Sequence, residues 1–271
     1  TIGLNLAIIT LRSRKVTVRF QNKVALVTAA GSGIGKATAG IFAKEGASLV
    51  AVDVNPVALN DLSKNLKAEG FTIITKQVDV LNSSQVKSLI DSVVTELGRI
   101  DILVNAVGGS TIIQNSSASV DDLTLDDWEK VLQFNLKGTF LCTHEVVKHM
   151  KRQQNGKIVN ISSDAAHSLG EPSSAYVAAK AGVMAFTKKV AKESGPYGIT
   201  CNAIAPGMTL SERIEPRWEK RSKEDRQTII DGIPLRRLSQ PEDQAKVIAF
   251  LASSDADYVT GVTIDTNGGR Y

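Results

Sequence analysis

One stretch near the N-terminus, Lys23–Gly35, limits the fold more than any other part of the chain. It opens with an apolar run, Val24–Val27, of the kind that a strand buried on both faces requires. Glycines follow at Gly31, Gly33 and Gly35, and the pattern then changes to helical spacing at Ile34, Ala37, Thr38, Ile41, Phe42 and Ala43. A strand, a glycine turn and a helix N-terminus together can approach a phosphate closely. The spacing G-x-G-x-x-G is absent, so a turn without a ligand remains an alternative.

The change from strand to helix is repeated along the chain. The predicted strands are Val24–Thr28, Ser48–Asp53, Thr72–Val80, Ile100–Asn105, Lys157–Ser162, Ile199–Ala205 and Val262–Thr266. The predicted helices are Gly35–Glu45, Val57–Glu69, Ser83–Leu97, Leu125–Arg152, Ala175–Ser194 and Pro241–Ala252. This alternation indicates an α/β fold of the Rossmann type, a doubly wound, seven-stranded parallel sheet with helices on both faces. No linker or repeat divides it, so we predict a single domain over residues 21–271.

Two segments depart from the alternation. Residues 1–20 carry an apolar segment before a basic one, the reverse of a secretory signal, and we expect an extension without function. Residues 207–240 are polar and charged and contain Trp218. A long segment of this kind is typical of a lid, and we expect it to cover the substrate site.

Composition excludes several classes of protein. The net charge of +4 is small and evenly spread, which does not suggest a nucleic-acid-binding protein. The two cysteines and three histidines form no ligand cluster, so we expect no metal. No apolar run approaches the roughly 18 residues that a membrane span needs. We therefore expect a cytoplasmic protein that binds a small molecule and neither nucleic acid nor membrane.

An acidic residue, Asp53, ends the second predicted strand, about twenty residues beyond the glycine turn. A carboxylate at this place can accept hydrogen bonds from both ribose hydroxyls of an adenine nucleotide, and it repels a 2′-phosphate. The alternative is that Asp53 caps the helix that begins near Pro56. Together with the glycine turn, the acid favours a dinucleotide.

Tyr176 and Lys180 stand four residues apart in the predicted helix Ala175–Ser194, so they share one of its faces. The unperturbed pKa of tyrosine is about 10, and a cation beside Tyr176 would lower it. Ser163 follows the end of a predicted strand, at the edge of the sheet where ligands bind. Its hydroxyl can hold a substrate oxygen while Tyr176 moves a proton. The Tyr-x-x-x-Lys spacing alone is common and usually marks two solvated side chains.

Further motifs follow in a characteristic order. They are Thr28–Gly35, Asp79-Val80, Asn105-Ala106-Val107-Gly108, Asn135, Ser163, Tyr176, Lys180 and Pro206-Gly207. With these motifs the chain resembles the single-domain branch of the short-chain dehydrogenase/reductase family, from about Phe20 to Gly269. The resemblance implies an enzyme that transfers a hydride between a nicotinamide dinucleotide and a secondary alcohol or ketone.

The resemblance also implies roles for individual residues. The implied catalytic tetrad is Asn135, Ser163, Tyr176 and Lys180. Tyr176 would be the general acid in reduction and the general base in oxidation, Lys180 would lower its pKa and bind the nicotinamide ribose, and Asn135 would hold a water. Cofactor contacts are implied for Thr28, Gly31, Ser32, Gly33, Ile34, Gly35, Asp53, Asp79, Val80, Asn105, Ala106, Gly108, Tyr176, Lys180, Pro206, Gly207 and Thr209.

Departures from the family pattern bear on the cofactor. Ala29 replaces the first glycine of the turn, and either Thr209 or Ser211 stands for a threonine that the family has near this point. Family members that use NADP usually carry a basic residue in the turn or just after the second strand. Ser32 and Val54 occupy those places beside the acidic Asp53. We therefore expect NAD to be preferred over NADP.

The substrate is not specified by these motifs. The general pattern is similar to 3-oxoacyl-(acyl carrier protein) reductases, so a 3-oxoacyl-thioester is one alternative. Gln154 and Tyr197 stand where those enzymes tend to carry basic residues for the carrier. A non-catalytic dinucleotide-binding module is a second alternative, and it would predict loss of the tetrad. His167 and Glu171 lie in the loop that should line the substrate pocket, although residues of these types are more often plain surface residues.

Two expectations concern the surface. The resemblance implies a homotetramer built through the helices Leu125–Arg152 and Ala175–Ser194. Basic and acidic side chains alternate in the lid, which is typical of a solvated helix with paired charges. The alternative is that Arg213 or Arg217 binds an anionic group of the substrate, because a guanidinium meets a carboxylate or phosphate with two hydrogen bonds. Trp218 would then close the apolar side of the pocket.

Overall fold

The computed structural model describes residues 18–169 and 172–270. Its strands are β1 (Val24–Thr28), β2 (Ser48–Asp53), β3 (Ile73–Gln77), β4 (Ile102–Asn105), β5 (Gly156–Ile161), β6 (Ile199–Pro206) and β7 (Thr263–Thr266). They form one seven-stranded sheet in the order β3-β2-β1-β4-β5-β6-β7, and every neighbouring pair is parallel. The predicted fold class is confirmed.

The helices cover both faces of this sheet. They are α1 (Gly33–Lys44), α2 (Pro56–Ala68), α3 (Ser83–Leu97), α4 (Leu125–Leu132), α5 (Gly138–Gln153), α6 (Ala165–Ser168), α7 (Ser174–Ser194), α8 (Glu215–Glu219), α9 (Lys223–Asp231) and α10 (Pro241–Ala252). Side chains alternate between the faces along each strand. Ala25 and Val27 of β1 pack with α1, α2 and α10, whereas Val24 and Leu26 pack with α3 and α5. Burial on both faces explains why the strands read as continuous apolar runs.

The order of the strands decides where a ligand can bind. The chain runs from β1 outward through β2 and β3, and then returns to place β4 on the other side of β1. The connections after β1 and β4 therefore leave the sheet on opposite faces and open a crevice at the carboxyl ends of the strands. This switch point is the general ligand site of open α/β sheets.

The predicted helix Leu125–Arg152 is interrupted. A π-helical segment, Gln133–Lys137, separates α4 from α5, and Asn135 lies within it. The Nδ2 of Asn135 donates to the carbonyl of Val131 at 3.0 Å and to that of Gly109 at 3.1 Å, and its Oδ1 accepts from the Gly109 N–H at 2.8 Å. The widened turn thus contains a side chain that bonds both its own helix and a distant loop, and such π-bulges are frequently found at functional sites.

The described part of the predicted extension, residues 18–20, belongs to the folded unit. Phe20 is buried and meets the ring of Phe42 edge to face, with the ring centroids 4.7 Å apart. Arg19 Nε lies 2.5 Å from a carboxylate oxygen of Glu45. These contacts attach residues 19 and 20, which precede β1, to the C-terminal end of α1. The rest of the predicted extension, residues 1–17, lies outside the described residues.

Candidate active site

A long cleft follows the carboxyl ends of the strands at the switch point. Its lining comes from the turn after β1, the ends of β2 and β3, the loops after β4 and β5, the turn after β6, and the lid. The predicted residues that line it are Ser32, Gly33, Ile34, Gly35, Asp53, Asp79, Val80, Ala106, Gly108, Ser163, Tyr176, Lys180, Pro206, Gly207 and Thr209. Side chains that are spread over most of the sequence are thus brought to one surface.

The glycine turn forms one end of the cleft. Gly33, the first residue of α1, has a left-handed φ of 52°, a conformation that favours glycine. A Cβ on Gly35 would collide with the carbonyl oxygen of Ala29, so no larger residue fits where α1 crosses the turn. The turn therefore lets a ligand come close to the N-terminus of α1, where first-turn N–H groups have no partner within the helix and suit a pyrophosphate.

Asp53 lies beside the glycine turn at the same end of the cleft. Its Oδ2 accepts from the Gly31 N–H and its Oδ1 from the Asn55 N–H, each at 2.9 Å. The alternative of a helix cap at Asp53 is wrong, because Asn55 caps α2 by accepting from Val57 and Ala58. A cleft-lining carboxylate that is held by two backbone donors still has lone pairs for a ribose hydroxyl.

Tyr176, Lys180 and Ser163 meet at the other end of the cleft. Lys180 is buried, and its Nζ donates to the carbonyl of Ile161 at 2.9 Å and lies 5.7 Å from the centroid of the Tyr176 ring. Burial, helped by the charge of Arg213, lowers the pKa of Lys180 to about 7. The ammonium can therefore exchange its proton near neutral pH.

The environment of Tyr176 differs from the sequence-based expectation. Burial raises the pKa of Tyr176, while a hydrogen bond from Ser163 and the charge of Arg213 oppose that rise. The expected lowering by Lys180 is not the main effect. Burial also lowers the pKa of Lys180, and Arg213 rather than Lys180 is the cation that acts to lower the pKa of Tyr176.

Four predicted residues support the cleft from within the fold. Thr28 Oγ1 donates to the Val104 carbonyl at 3.2 Å and accepts from the Ala106 N–H at 2.9 Å. Asn105 Nδ2 donates to Thr143 and Asn160. The N–H of Gly31 is used by Asp53, and the amide of Asn135 is used by Gly109 and Val131. These four residues are not among the described residues that line the cleft, which differs from the direct roles that the resemblance implies.

The lid reaches the cleft through several residues. They are Met208, Thr209, Ser211, Arg213, Ile214, Arg217, Trp218 and Arg221. The lid does not form one solvated helix, because α8 and α9 are short and separate. Arg213 donates from Nη1 to the carbonyl of Gly108 at 3.0 Å, which places its guanidinium beside the Tyr176 end. Arg213 and Arg217, the two lid arginines that could bind an anionic group, both line the cleft.

Sequence reasoning missed other residues at the cleft. Arg270 lines it from the C-terminal segment, and Asp164, next to Ser163, is buried with one carboxylate oxygen lacking a partner among the described residues. Burial raises the pKa of Asp164, and the charge of Arg270 opposes that rise. Nothing in their spacing marked them, since both depend on contacts distant in sequence.

The substrate-loop expectations have mixed outcomes. His167 is half-exposed, its Nε2 lies 3.3 Å from Asp265, and it is not among the described residues that line the cleft. Glu171 lies outside the described residues. Within residues 18–169 and 172–270, no cluster of His, Cys, Asp or Glu side chains is placed to hold a metal ion. No helix in the same ranges is long and apolar enough to cross a membrane.

The chain is similar to known proteins over most of its length. The family model described as enoyl-(acyl carrier protein) reductase matches residues 28–270. A 3-oxoacyl-[acyl-carrier-protein] reductase of Thermotoga maritima is 40% identical over 253 residues, which cover 93% of this chain and 99% of that protein. A subunit of (2S)-[(R)-hydroxy(phenyl)methyl]succinyl-CoA dehydrogenase of Thauera aromatica is 36% identical, with 92% and 97% covered.

A solved structure agrees in three dimensions. A 3-oxoacyl-[acyl-carrier protein] reductase from Brucella melitensis with bound NAD superposes with a TM-score of 0.86 at 30% identity, over 99% of this chain and 98% of that one. Fold, motif order and full-length similarity therefore agree, and the chain belongs to the short-chain dehydrogenase/reductase family of oxidoreductases, which act on CH–OH and keto groups.

Proposed function

We propose that this protein is an NAD(H)-dependent oxidoreductase of a secondary alcohol or ketone that carries an anionic group, with an acyl thioester as the favoured substrate class. The observation that carries the proposal is the meeting of Ser163, Tyr176 and Lys180 at one end of a cleft whose other end holds Asp53. A dinucleotide has the length and the polar groups to connect two such ends.

When bound, the nicotinamide of the dinucleotide would supply or accept the hydride. Ser163 and Tyr176 hold the oxygen of the reacting carbon through their hydroxyl groups. Tyr176 donates its proton to that oxygen in reduction and takes it back in oxidation. Preorganised donors at the site of developing negative charge are the main source of stabilisation in such reactions.

Lys180 has a second task at this end of the cleft. Its Nζ already binds the Ile161 carbonyl, and a Cβ added to Gly108 would lie 2.6 Å from it, so the ammonium reaches the surface of the cleft at that point. Ribose hydroxyls that accept from Nζ would favour the charged form of Lys180. A charged Lys180 lowers the pKa of Tyr176, so proton transfer is coupled to cofactor binding.

Asn135 acts as a positioning residue in this proposal. Its amide holds both the N–H and the carbonyl of Gly109, next to the Gly108 backbone that faces Lys180. The interrupted helix thereby fixes the floor of the nicotinamide end. The water-holding role that the resemblance implies would then belong to the backbone around the π-helical segment.

The anionic part of the substrate is inferred from the lid. Arg213 and Arg217 both line the cleft near Tyr176, and neither makes an ion pair with a carboxylate of the described residues. Burial and the neighbouring Arg217 lower the pKa of Arg213, as two cations at one site require. A carboxylate or phosphate on the substrate would satisfy both guanidinium groups. The names of the two relatives described above, a 3-oxoacyl-[acyl-carrier-protein] reductase and a subunit of (2S)-[(R)-hydroxy(phenyl)methyl]succinyl-CoA dehydrogenase, favour a thioester as the reacting molecule.

A homotetramer is part of the proposal. Phe140 of α5 is nearly half exposed and packs edge to face with Phe186 of α7 at 6.3 Å, so the two long helices share an apolar outer face. Val131 and Val183, by contrast, are buried within the subunit and cannot contribute to a subunit contact.

The substrate proposal is tested by following NADH absorbance with matched pairs of ketones. Each pair has one member with a carboxylate or a CoA thioester and one neutral member, such as a methyl ester or a plain ketone. We expect the anionic members to be reduced with a kcat/KM at least about tenfold higher, because the guanidinium contacts are lost in the neutral ones. Equal efficiency within every pair would contradict the anionic substrate, and no NADH oxidation with any ketone would contradict the activity.

A further inference from the structure

A lid carboxylate lies at the N-terminus of α1. Glu212 Oε2 accepts from the backbone N–H of Gly33 at 2.8 Å, and Oε1 lies 3.2 Å from Nζ of Lys36. Gly33 is the first residue of a twelve-residue helix, so its N–H is one of the donors that the helix leaves unpaired. A negative charge placed there is stabilised by the helix dipole.

The neighbouring residues hold this carboxylate in place. A Cβ built on Gly33 would lie 3.3 Å from the Cβ of Ser211, so the lid backbone touches the glycine turn. On the other side of Glu212, Arg213 donates to the Gly108 carbonyl at 3.0 Å. The three residues Ser211–Arg213 therefore span the cleft from the turn after β1 to the loop after β4.

Glu212 carries its negative charge at neutral pH. Partial burial acts to raise the pKa of Glu212, but its own backbone N–H, the Gly33 N–H and the Lys36 ammonium outweigh that effect and lower the pKa. The group at the helix N-terminus is thus an anion of the same charge sign as a pyrophosphate oxygen. Both groups use the same kind of donor, an unpaired backbone N–H beside Lys36.

We propose that Glu212 is an internal competitor of the cofactor: its carboxylate holds the anion-binding position at Gly33 and Lys36, and the dinucleotide pyrophosphate must displace it to bind. This inference rests on the dinucleotide site of the proposed function. Displacement frees the lid at its contact with the glycine turn, so cofactor binding is coupled to movement of residues 211–214. Wild-type affinity for the cofactor is accordingly lower than the cleft alone would allow.

The size of the effect follows from the exposure of the pair. The side chains of Lys36 and Glu212 are 43% and 52% exposed, so water and salt screen the interaction. One helix N-terminal contact plus one exposed ion pair corresponds to about a three- to tenfold change in an equilibrium constant.

The test compares Glu212→Gln with Glu215→Gln. Both variants remove one negative charge from the lid, but Glu215 makes no contact with Gly33 or Lys36. Dissociation constants are measured by calorimetry for NADH, ADP and adenosine. We expect Glu212→Gln to bind NADH and ADP about three- to tenfold more tightly than the wild type and to leave adenosine, which lacks phosphate, unchanged. Glu215→Gln should stay within about twofold for all three ligands.

Other outcomes would overturn the inference. Unchanged or weaker NADH binding by Glu212→Gln would show that the carboxylate does not compete, or that it contributes to the cofactor site. Equal tightening of adenosine would show a general opening of the lid rather than competition with phosphate. If neither the wild type nor the variant binds NADH, the proposed function itself fails, and thermal unfolding of both proteins establishes that they are folded.

Discussion

The two walls of the cleft are held by different kinds of interaction. The wall formed by the sheet and α7 holds its polar groups in buried hydrogen bonds, as for Thr28 between β1 and β4 and Lys180 on the Ile161 carbonyl. The lid contacts the residues of the same cleft through charged side chains that are partly open to water, such as Glu212 on Gly33 and Arg213 on Gly108. Buried hydrogen bonds are costly to break, whereas exposed ion pairs contribute little.

This difference separates the residues proposed to transfer the proton from the lid residues proposed to bind the cofactor and the substrate. Groups that move a proton must keep their geometry, and the buried wall supplies it. Groups that admit a cofactor and recognise a substrate must exchange partners, and the exposed contacts of the lid allow that exchange. Changes on the sheet wall should therefore affect turnover and stability, and changes in the lid should affect binding.

The largest effect is expected for Tyr176→Phe. Loss of the hydroxyl removes both the proton donor and one holder of the substrate oxygen, so kcat should fall by about 10²- to 10⁴-fold. The dissociation constant for NADH should change by less than about threefold, because the ring remains. Tyr197→Phe is the control, since Tyr197 lies on the surface against Lys151 and should keep full activity. A Tyr176→Phe protein with more than a few per cent of wild-type turnover would contradict the assignment.

A second test of the buried wall uses pH. Burial lowers the pKa of Lys180 from an ordinary 10.5 to about 7. Between these values the unfolded chain binds a proton that the folded chain lacks, so the free energy of unfolding rises with pH by up to about 1.4 kcal/mol per unit. The cost of the buried cation is complete below pH 7 and disappears towards pH 10.5.

Lys180→Met removes this dependence. The free energy of unfolding is measured in urea without cofactor. We expect the wild-type value to rise steadily relative to that of Lys180→Met from pH 7 to pH 9.5. Lys188→Met, on the same helix, is the control and should run parallel to the wild type. A constant difference between the wild type and Lys180→Met would show that Lys180 keeps an ordinary pKa.

The cofactor preference is a smaller effect at the opposite end of the cleft. In the proposed dinucleotide site Asp53 would face a 2′-phosphate, so kcat/KM should favour NAD over NADP by at least about tenfold. Asp53→Ala should reduce that ratio, mostly through the KM for NAD. Asp61→Ala, on the outer surface of α2, is the control. Equal use of both cofactors by the wild type would refute this reading of Asp53.

The smallest effect is expected in the lid. Arg213→Leu and Arg217→Leu should each raise the KM for an anionic substrate about three- to tenfold and leave the KM for its neutral analogue within about twofold. Lys220→Leu removes a lid charge that does not line the cleft, and it should change neither value. An equal rise in KM for both analogues would indicate that these arginines have a structural role. The contrast between the two walls of the cleft would then be weaker.

The sheet and its turn were predictable because their determinants are local. β1, β2, α3 and α10 have the predicted bounds, since apolar periodicity and capping residues act over a few positions. β3 is shorter than predicted, because in the described sheet it pairs with β2 alone, and β2 ends at Asp53, which pairs with Gln77. The order of the motifs was enough to place Ser163, Tyr176 and Lys180 at one cleft.

Other features depend on residues far apart in the chain. The break between α4 and α5 accompanies a bond from Asn135 to Gly109, 26 residues away, and no local pattern marks it. The contact of Glu212 with Gly33 joins residues 179 positions apart. In a segment of alternating charges, the pattern predicts that every acidic residue is solvent-exposed, and only the packing determines which one contacts the glycine turn.

The sequence by itself thus determined the parallel sheet, the glycine turn and the meeting of Ser163, Tyr176 and Lys180 at one end of the cleft. Hydrophobic periodicity and motif spacing are properties of neighbouring residues, so they can be read along the chain. Tertiary structure alone decided which polar side chains support the cleft from behind and which charged lid residues enter it. A hydrogen bond or ion pair between distant segments leaves no periodicity in either segment, because its geometry is set by how the whole sheet is packed.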